Sequence, residues 1–361
     1  MSSYLFDVVV IGAGAVGLAI AENLSKIYKN VALIEKEAQF GLHASSRNSE
    51  VIHSGIYYPT NSLKNKLCLN GNKLIYKFLE KYGIDYKNCG KLIVSNNSLD
   101  DVNLEKLFNF GKTKKTLSLS LLDSKEAKSI ESNVKCSKAI WVKSSGIMDS
   151  HKFMQRLEYN FKTNGGAVVY NTFAENLEYK NSEYIITTSK DEVIRTKILI
   201  NAAGLWSDQF AKLLNLSNHK IHFCKGDYYK TNRYKNLSCL IYPIPSEISL
   251  GIHAVLQLNG DISFGPSAYY VDEIDYKTDE SQKESFAKSI NNYLDIKESD
   301  IWPDYSGIRP KIQAKGESFK DFYIKNEVQR GFKNFINLIG IDSPGLTSSL
   351  AIANHVRGLI L

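Results

Sequence analysis

A run of β-branched and apolar residues, Phe6 to Ile11, opens directly onto Gly12-Ala13-Gly14-Ala15-Val16-Gly17, and a helical pattern, Ala15 to Tyr28, starts before the glycines end. A second apolar strand, Val31 to Ile34, follows and closes on the acid Glu35, 18 residues past Gly17. Strands apolar at nearly every position are buried on both faces, as in a parallel sheet covered by helices. The glycines have separate physical tasks. Gly12 makes the tight turn, Gly14 lets backbone approach a phosphate, and Gly17 lets the helix pack on the strand. The helix start at Ala15 and Val16 presents amide N–H groups and a positive dipole end to anions. Glu35 is placed to accept from ribose hydroxyls. The unit predicts a dinucleotide-binding site and leaves FAD and NAD both open.

The remaining pattern alternates. Helices are predicted at Ser62 to Tyr82, Ser150 to Thr163 and Leu346 to Leu359, with buried strands at Ala167 to Tyr170, Ile194 to Asn201 and Phe335 to Ile339. Between them, Lys91 to Ser95, Ala139 to Val142 and Ile221 to Thr231 read as half-buried strands. Ala254 to Leu258 and Asp261 to Phe264 flank Asn259-Gly260, which predicts a hairpin with a type I′ turn. A chain of 361 residues exceeds one ordinary core. The fold class expected is therefore α/β (α+β, two-domain), a Rossmann-type nucleotide-binding domain interrupted by an antiparallel-sheet substrate domain. Its segments are 1–85, 146–218 and 331–361 for the first domain and 86–145 and 219–330 for the second.

Composition excludes several classes. The longest apolar run, Val8 to Ala21, is shorter than the ~20 residues of a membrane span, and no basic leader precedes it. Cys68, Cys89, Cys136, Cys224 and Cys239 are odd in number and never spaced C-x-x-C, which points to buried thiols in a reducing compartment rather than disulfides or a metal site. A cytoplasmic location follows. Net charge is +7, from 45 basic and 38 acidic residues. It suits a small anionic substrate or a peripheral contact with an anionic lipid surface, while no basic stripe with interleaved aromatics favours nucleic acid. Lys112, Lys114 and Lys115 read as a solvated loop.

Distant segments narrow the cofactor. Ser45-Ser46-Arg47-Asn48-Ser49-Glu50-Val51-Ile52-His53-Ser54-Gly55-Ile56-Tyr57-Tyr58-Pro59, Lys225-Gly226-Asp227-Tyr228-Tyr229, Tyr242-Pro243-Ile244-Pro245, Gly307-Ile308-Arg309-Pro310-Lys311 and Ser343-Pro344-Gly345-Leu346-Thr347 run in that order along the chain. Together they resemble the L-2-hydroxyglutarate dehydrogenases, of the wider D-amino-acid-oxidase and glycerol-3-phosphate-dehydrogenase superfamily of FAD enzymes. Many members carry His-Asn-Ser-Gly where this chain has Arg47-Asn48-Ser49-Glu50. The resemblance implies non-covalently bound FAD, since no cysteine lies near the C-terminal motif. It places Ser45, Ser46 and Asn48 along the pyrophosphate and flavin, Glu35 and Lys36 at the adenosine ribose, and the Ala174 backbone at adenine. Ala202, Gly204 and Trp206 fall beneath the cofactor, Gly307 beside it, and Gly345, Leu346 and Thr347 at the pyrimidine end of the flavin ring.

The implied reaction moves a hydride from the substrate Cα to flavin N5 while the hydroxyl loses its proton. A hydroxyl needs a positioned base at neutral pH, and histidine suits that task. The resemblance singles out His53, against the alternative of a satisfied core histidine. It also implies that Arg309 clamps the substrate carboxylate, which a planar guanidinium does bidentately. Tyr57, Tyr58, Lys225, Tyr242 and Arg47 are candidates for a second carboxylate, whereas His43 and His253 read as structural. The expected activity is oxidation of L-2-hydroxyglutarate to 2-oxoglutarate, with electrons passed to a quinone or another acceptor. An amine or amino-acid oxidase, or a flavin-bound protein without catalysis, are the alternatives.

Overall fold

The computed structural model describes residues 3–245 and 251–360. Its first sheet is built on five parallel strands in the order Ala167–Val169, Val31–Ile34, Ser3–Ile11, Val193–Asn201, Phe335–Ile339. Successive residues of these strands enter different cores. Val8, Val10, Leu33, Ile200 and Ile336 pack on one face, and Val9, Ala32, Ile34, Leu199 and Phe335 on the other. That alternation explains why the strands are apolar throughout.

The first face is covered by the helices Ala15–Leu24, Leu63–Tyr82, Ser150–Thr163 and Gly345–Ile360, through Leu18, Ile75, Phe153 and Ile352 among others. Each such side chain, fully buried, contributes ~1.5–3 kcal/mol. Ser62 caps the second helix by accepting from the Asn65 amide, and Gly83 ends it in the left-handed region. The first helix stops at Leu24, short of the expected Tyr28. Beyond it the Ser25 hydroxyl donates to the Glu22 carbonyl, and the Ile27 amide turns back three residues to Leu24.

The second sheet has nine strands, antiparallel apart from the pairing of Leu240–Pro243 with Lys91–Ser95. Its longest ladder joins His222–Thr231 to Ile301–Lys311 and sets Cys224 opposite Arg309 and Gly226 opposite Gly307. Lys91–Ser95 is buried at every position rather than on one face, because Leu104 of the Ser98–Lys112 helix packs into the same core. The hairpin forms between His253–Leu256 and Ile262–Gly265, but its turn is not type I′. Gly260 has a φ of +89°, Asn259 is not in the positive region, and the Gly260 amide closes on the Gln257 carbonyl. This is a three-residue loop with one left-handed glycine.

Strand Tyr323–Asn326 pairs antiparallel with Phe335–Ile339, so the chain re-enters the first sheet before residue 331. A short sheet of Val51–Ile52, Gly146–Met148 and Tyr86–Lys87 carries the segment that delivers His53.

Candidate active site

The first-sheet strands end against a cavity of about 520 Å³. Gly12, Gly14, Val16 and Gly17 line it, with Glu35, Lys36, Ser45, Ala174, Ala202, Gly204 and Trp206. Gly12 holds a φ of +101°, and a Cβ there would lie 2.5 Å from the Ala202 carbonyl oxygen. Gly14 is the N-cap of the Ala15–Leu24 helix and has no side chain to cap it. Ser45 fills part of that role, its Oγ accepting from the Ala15 amide at 3.0 Å. Glu35 accepts from the Ala13 amide at 2.6 Å and from the Glu37 amide at 3.0 Å, so the acid that closes the second strand also braces the glycine turn. Lys36 lies 3.5 Å over the Trp206 ring and pairs with Glu37.

A second cavity, of about 490 Å³, shares Val16, Ala44, Ser45, Pro310 and Ile341 with the first, so the two adjoin at these residues. His53, Tyr57, Tyr58, Arg47, Asn48, Ala15, Gly307, Arg309, Gly345 and Leu346 line it. The His53 amide donates to Thr347 Oγ1 at 3.0 Å, and its carbonyl accepts from Asn72 Nδ2 at 3.0 Å. Its Nε2 lies 3.4 Å from Ser343 Oγ, which also lies 3.4 Å from the Tyr58 hydroxyl. Burial first, and the Lys91 ammonium second, hold the His53 imidazole far below the usual histidine range, at about 3. The ring is therefore neutral at physiological pH and able to accept a proton.

Arg309 donates to the carbonyls of Ser267 (2.7 Å), Lys225 (3.2 Å) and Cys224 (3.3 Å). No carboxylate among the described residues pairs with it. An arginine held by carbonyls alone keeps its charge available to an incoming anion.

Other expected residues stand elsewhere. Lys225 alternates with Gly226 and Tyr228 along its strand, so they line the cavity while its ammonium turns to Asp275 and the Lys277 carbonyl. Tyr242 lies behind the wall, fully buried and stacked on His253 at 3.8 Å. Ser46 is exposed and lines neither cavity. The Gly345 amide closes a turn on the Asp342 carbonyl, and Thr347 braces His53 from behind. Asn48 borders the cavity, but its amide group is spent on the carbonyls of Ala44 and Ser45.

Glu50 adopts a φ of +54°, a conformation that favours glycine. Its carboxylate offsets that conformation by accepting from both the amide (2.9 Å) and the hydroxyl (2.6 Å) of Ser150.

The profile of the DAO family, described as FAD dependent oxidoreductase, matches residues 7–359. The chain belongs to this family. Among its relatives, the mitochondrial L-2-hydroxyglutarate dehydrogenase of Arabidopsis thaliana is 36% identical over 98% of this chain and 83% of that protein. The L-2-hydroxyglutarate dehydrogenase of Escherichia coli K12 is 31% identical over 86% of this chain and 72% of that one. A dithionite-reduced L-alpha-glycerophosphate oxidase from Mycoplasma pneumoniae, solved with FAD bound, superposes with a TM-score of 0.87 at 23% identity, covering 99% of this chain and 94% of that one.

The cofactor of the DAO family is FAD, and the paired cavities suit a two-ended dinucleotide. One end carries Glu35 and Ala174, the join carries the uncapped helix start and Ser45, and the other end carries His53, Arg309 and Leu346. A Cβ at Gly14 would meet Ser45 Oγ at 2.9 Å, so a larger residue there would turn the hydroxyl away from the Ala15 amide.

Four residues to which the sequence assigned no site role stand in or behind the wall of the second cavity. His253, which read as structural, also borders the second cavity; burial holds it at about 3, and its Nδ1 is bonded to the Gly251 carbonyl. Lys64 and Asp342 line it as an ion pair, and their partnership spans the chain. Lys114 is buried, and its ammonium donates at 2.7 Å to each of the carbonyls of Gly55, Ile56 and Tyr58. Lys112 and Lys115 are exposed as expected, whereas Lys114 is a clamp on the segment carrying both tyrosines. Among the described residues, no helix is long and apolar enough to cross a membrane.

Proposed function

We propose that this chain is an FAD-dependent dehydrogenase that oxidises L-2-hydroxyglutarate to 2-oxoglutarate. The observation that carries the reading is one cavity wall holding a neutral His53 together with four cations, Arg47, Lys64, Arg309 and Lys311, against one carboxylate, Asp342. That excess suits a substrate with two negative charges. FAD, when bound, supplies the hydride acceptor. Gly12, Gly14 and Ser45 hold its phosphates, Glu35 its ribose, and the start of the Gly345–Ile360 helix its flavin end. Arg309 binds the carboxylate next to the reacting carbon, and His53 takes the hydroxyl proton onto its imidazole.

We further propose that FAD is bound non-covalently, in keeping with cavity walls that contain no cysteine among the described residues. Electrons pass to a quinone or another acceptor. The enzyme works in the cytoplasm, in peripheral contact with the membrane where that acceptor is a quinone.

The test is anaerobic flavin bleaching of the purified yellow protein. The L isomer of 2-hydroxyglutarate should reduce the flavin faster than the D isomer, glycerol 3-phosphate or glycine. Faster reduction by an amino acid assigns the chain to the oxidase branch instead.

A further inference from the structure

Lys64 and Lys311 share one carboxylate in the wall of the second cavity. Lys64 Nζ lies 2.7 Å from Asp342 Oδ1, and Lys311 Nζ lies 3.8 Å from Asp342 Oδ2. These side chains are enclosed, with exposures of 9% for Lys64, 6% for Asp342 and 15% for Lys311. One carboxylate cannot balance two ammoniums, and an unbalanced ammonium in such a wall is unfavourable until an anion arrives. The other nearby acid, Asp321, is committed elsewhere. It accepts from the backbone amides of Leu63 and Lys64 and so compensates the start of the Leu63–Tyr82 helix.

Position along the strand gives the spacing. Arg309 and Lys311 are two residues apart on the Ile301–Lys311 strand and both line the cavity. Side chains two apart on a strand point the same way and stand roughly 6.6 Å apart along it. The terminal carbons of an extended five-carbon diacid lie about 5 Å apart by ordinary bond lengths, and their oxygens reach further outward. A molecule of that length spans from one residue to the other. Arg47, the remaining cation, lies 4.0 Å over the Tyr276 ring, whose hydroxyl is bonded to His43 in the wall of the first cavity.

We propose that Lys64 and Lys311, bridged by Asp342, form the subsite for the distal carboxylate of a five-carbon dicarboxylic 2-hydroxy acid whose other carboxylate is held by Arg309. The assignment rests on the reading of function given above, and it explains why the wall carries more positive charge than one carboxylate needs.

The test compares L-2-hydroxyglutarate with L-2-hydroxyvalerate, which has the same carbon chain and no distal carboxylate. Anaerobic stopped-flow reduction of the holoenzyme gives the preference for the diacid. Spectral titration of the flavin with 2-oxoglutarate and 2-oxovalerate gives the same preference without turnover. Lys311→Met should lower it ~10–100-fold in both measurements, the scale of a charge-assisted contact, and Lys311→Arg should restore most of it. An unchanged preference in Lys311→Met overturns the subsite while leaving the enzyme an L-2-hydroxyglutarate dehydrogenase. So does loss of the preference in Arg47→Met instead, or equal loss on both acids with release of FAD. If L-2-hydroxyglutarate fails to reduce even the parent enzyme, the reading of function falls. The titration then still decides the subsite, because a parent that binds the diacid no better than the monoacid has none.

Discussion

The His53 amide donates to Thr347 Oγ1 across 3.0 Å, joining the proposed base to the helix that starts at Gly345. Thr347 passes the bond on by donating to the Val51 carbonyl at 3.2 Å. The proposed base and the proposed flavin end of the cavity therefore share one support. His53→Ala should lower kcat by ~10²–10⁴-fold with FAD retained. Thr347→Val keeps the shape but leaves the His53 amide without its acceptor, and should cost ~1–3 kcal/mol of stability. Stopped-flow reduction with flavin content measured on the same samples checks both. Near-normal reduction in His53→Ala would return this histidine to a structural role.

The pH dependence follows from the two buried imidazoles. His53 and His253 are each held at about 3, below the ordinary value of 6.5. The base stays neutral well into the acid range, so the acid limb of kcat/KM should lie below 6.5. Stability has a defined sign as well. Between about 3 and 6.5 the unfolded chain binds more protons than the folded one, so stability falls as pH falls through that window. Each histidine contributes a slope of up to about 1.4 kcal/mol per pH unit. Urea midpoints at saturating FAD, taken from pH 7 to pH 5, should decline, and His253→Gln should flatten the decline. A limb at or above 6.5 would show that His53 is not the titrating base.

Much of this was legible in the sequence because the signal was local. The strand, glycine turn, helix and Glu35 lie within one short stretch, and each has a periodic or steric signature. Motifs of contiguous residues singled out Arg309 and His53, and both line the second cavity. What escaped were partnerships across the chain. Nothing near Lys114 in sequence indicates three carbonyls at residues 55, 56 and 58, and nothing near Lys64 indicates Asp342. Lys225 was misplaced for a different reason. The motif was right, but on a strand the face turned to the cavity alternates, and the wrong face was chosen.

Glu50 offers a separation of backbone from side-chain effects. Its φ of +54° is unfavourable for any residue with a Cβ, and its bonds to Ser150 offset that. Glu50→Ala removes the bonds and keeps the strain, whereas Glu50→Gly removes both. The glycine variant should be more stable than the alanine variant by about 1 kcal/mol. Thermal denaturation of the two side by side decides it, and equal midpoints would mean that the backbone relaxes at no cost.

Arg309 tests whether a residue already rich in hydrogen bonds still has charge to offer. Its Nε and one terminal nitrogen reach three carbonyls, which satisfy donors without neutralising the cation. Those bonds fix the guanidinium plane before substrate arrives, so little ordering remains to be done on binding. If the group holds the carboxylate in ground and transition states alike, Arg309→Met should raise KM strongly. It should lower kcat too, because the same contact aims the reacting carbon. The combined loss in kcat/KM should be roughly 10²-fold or more. Arg309→Lys should recover only part of it, since a lysine ammonium cannot reach the three carbonyls together and still present a donor to the carboxylate. Loss of the carbonyl contacts also threatens the strand pair, so melting temperature and flavin content are measured on each variant. An Arg309→Met enzyme with unchanged KM would leave this arginine as a brace between strands and pass the carboxylate to another cation of the cavity.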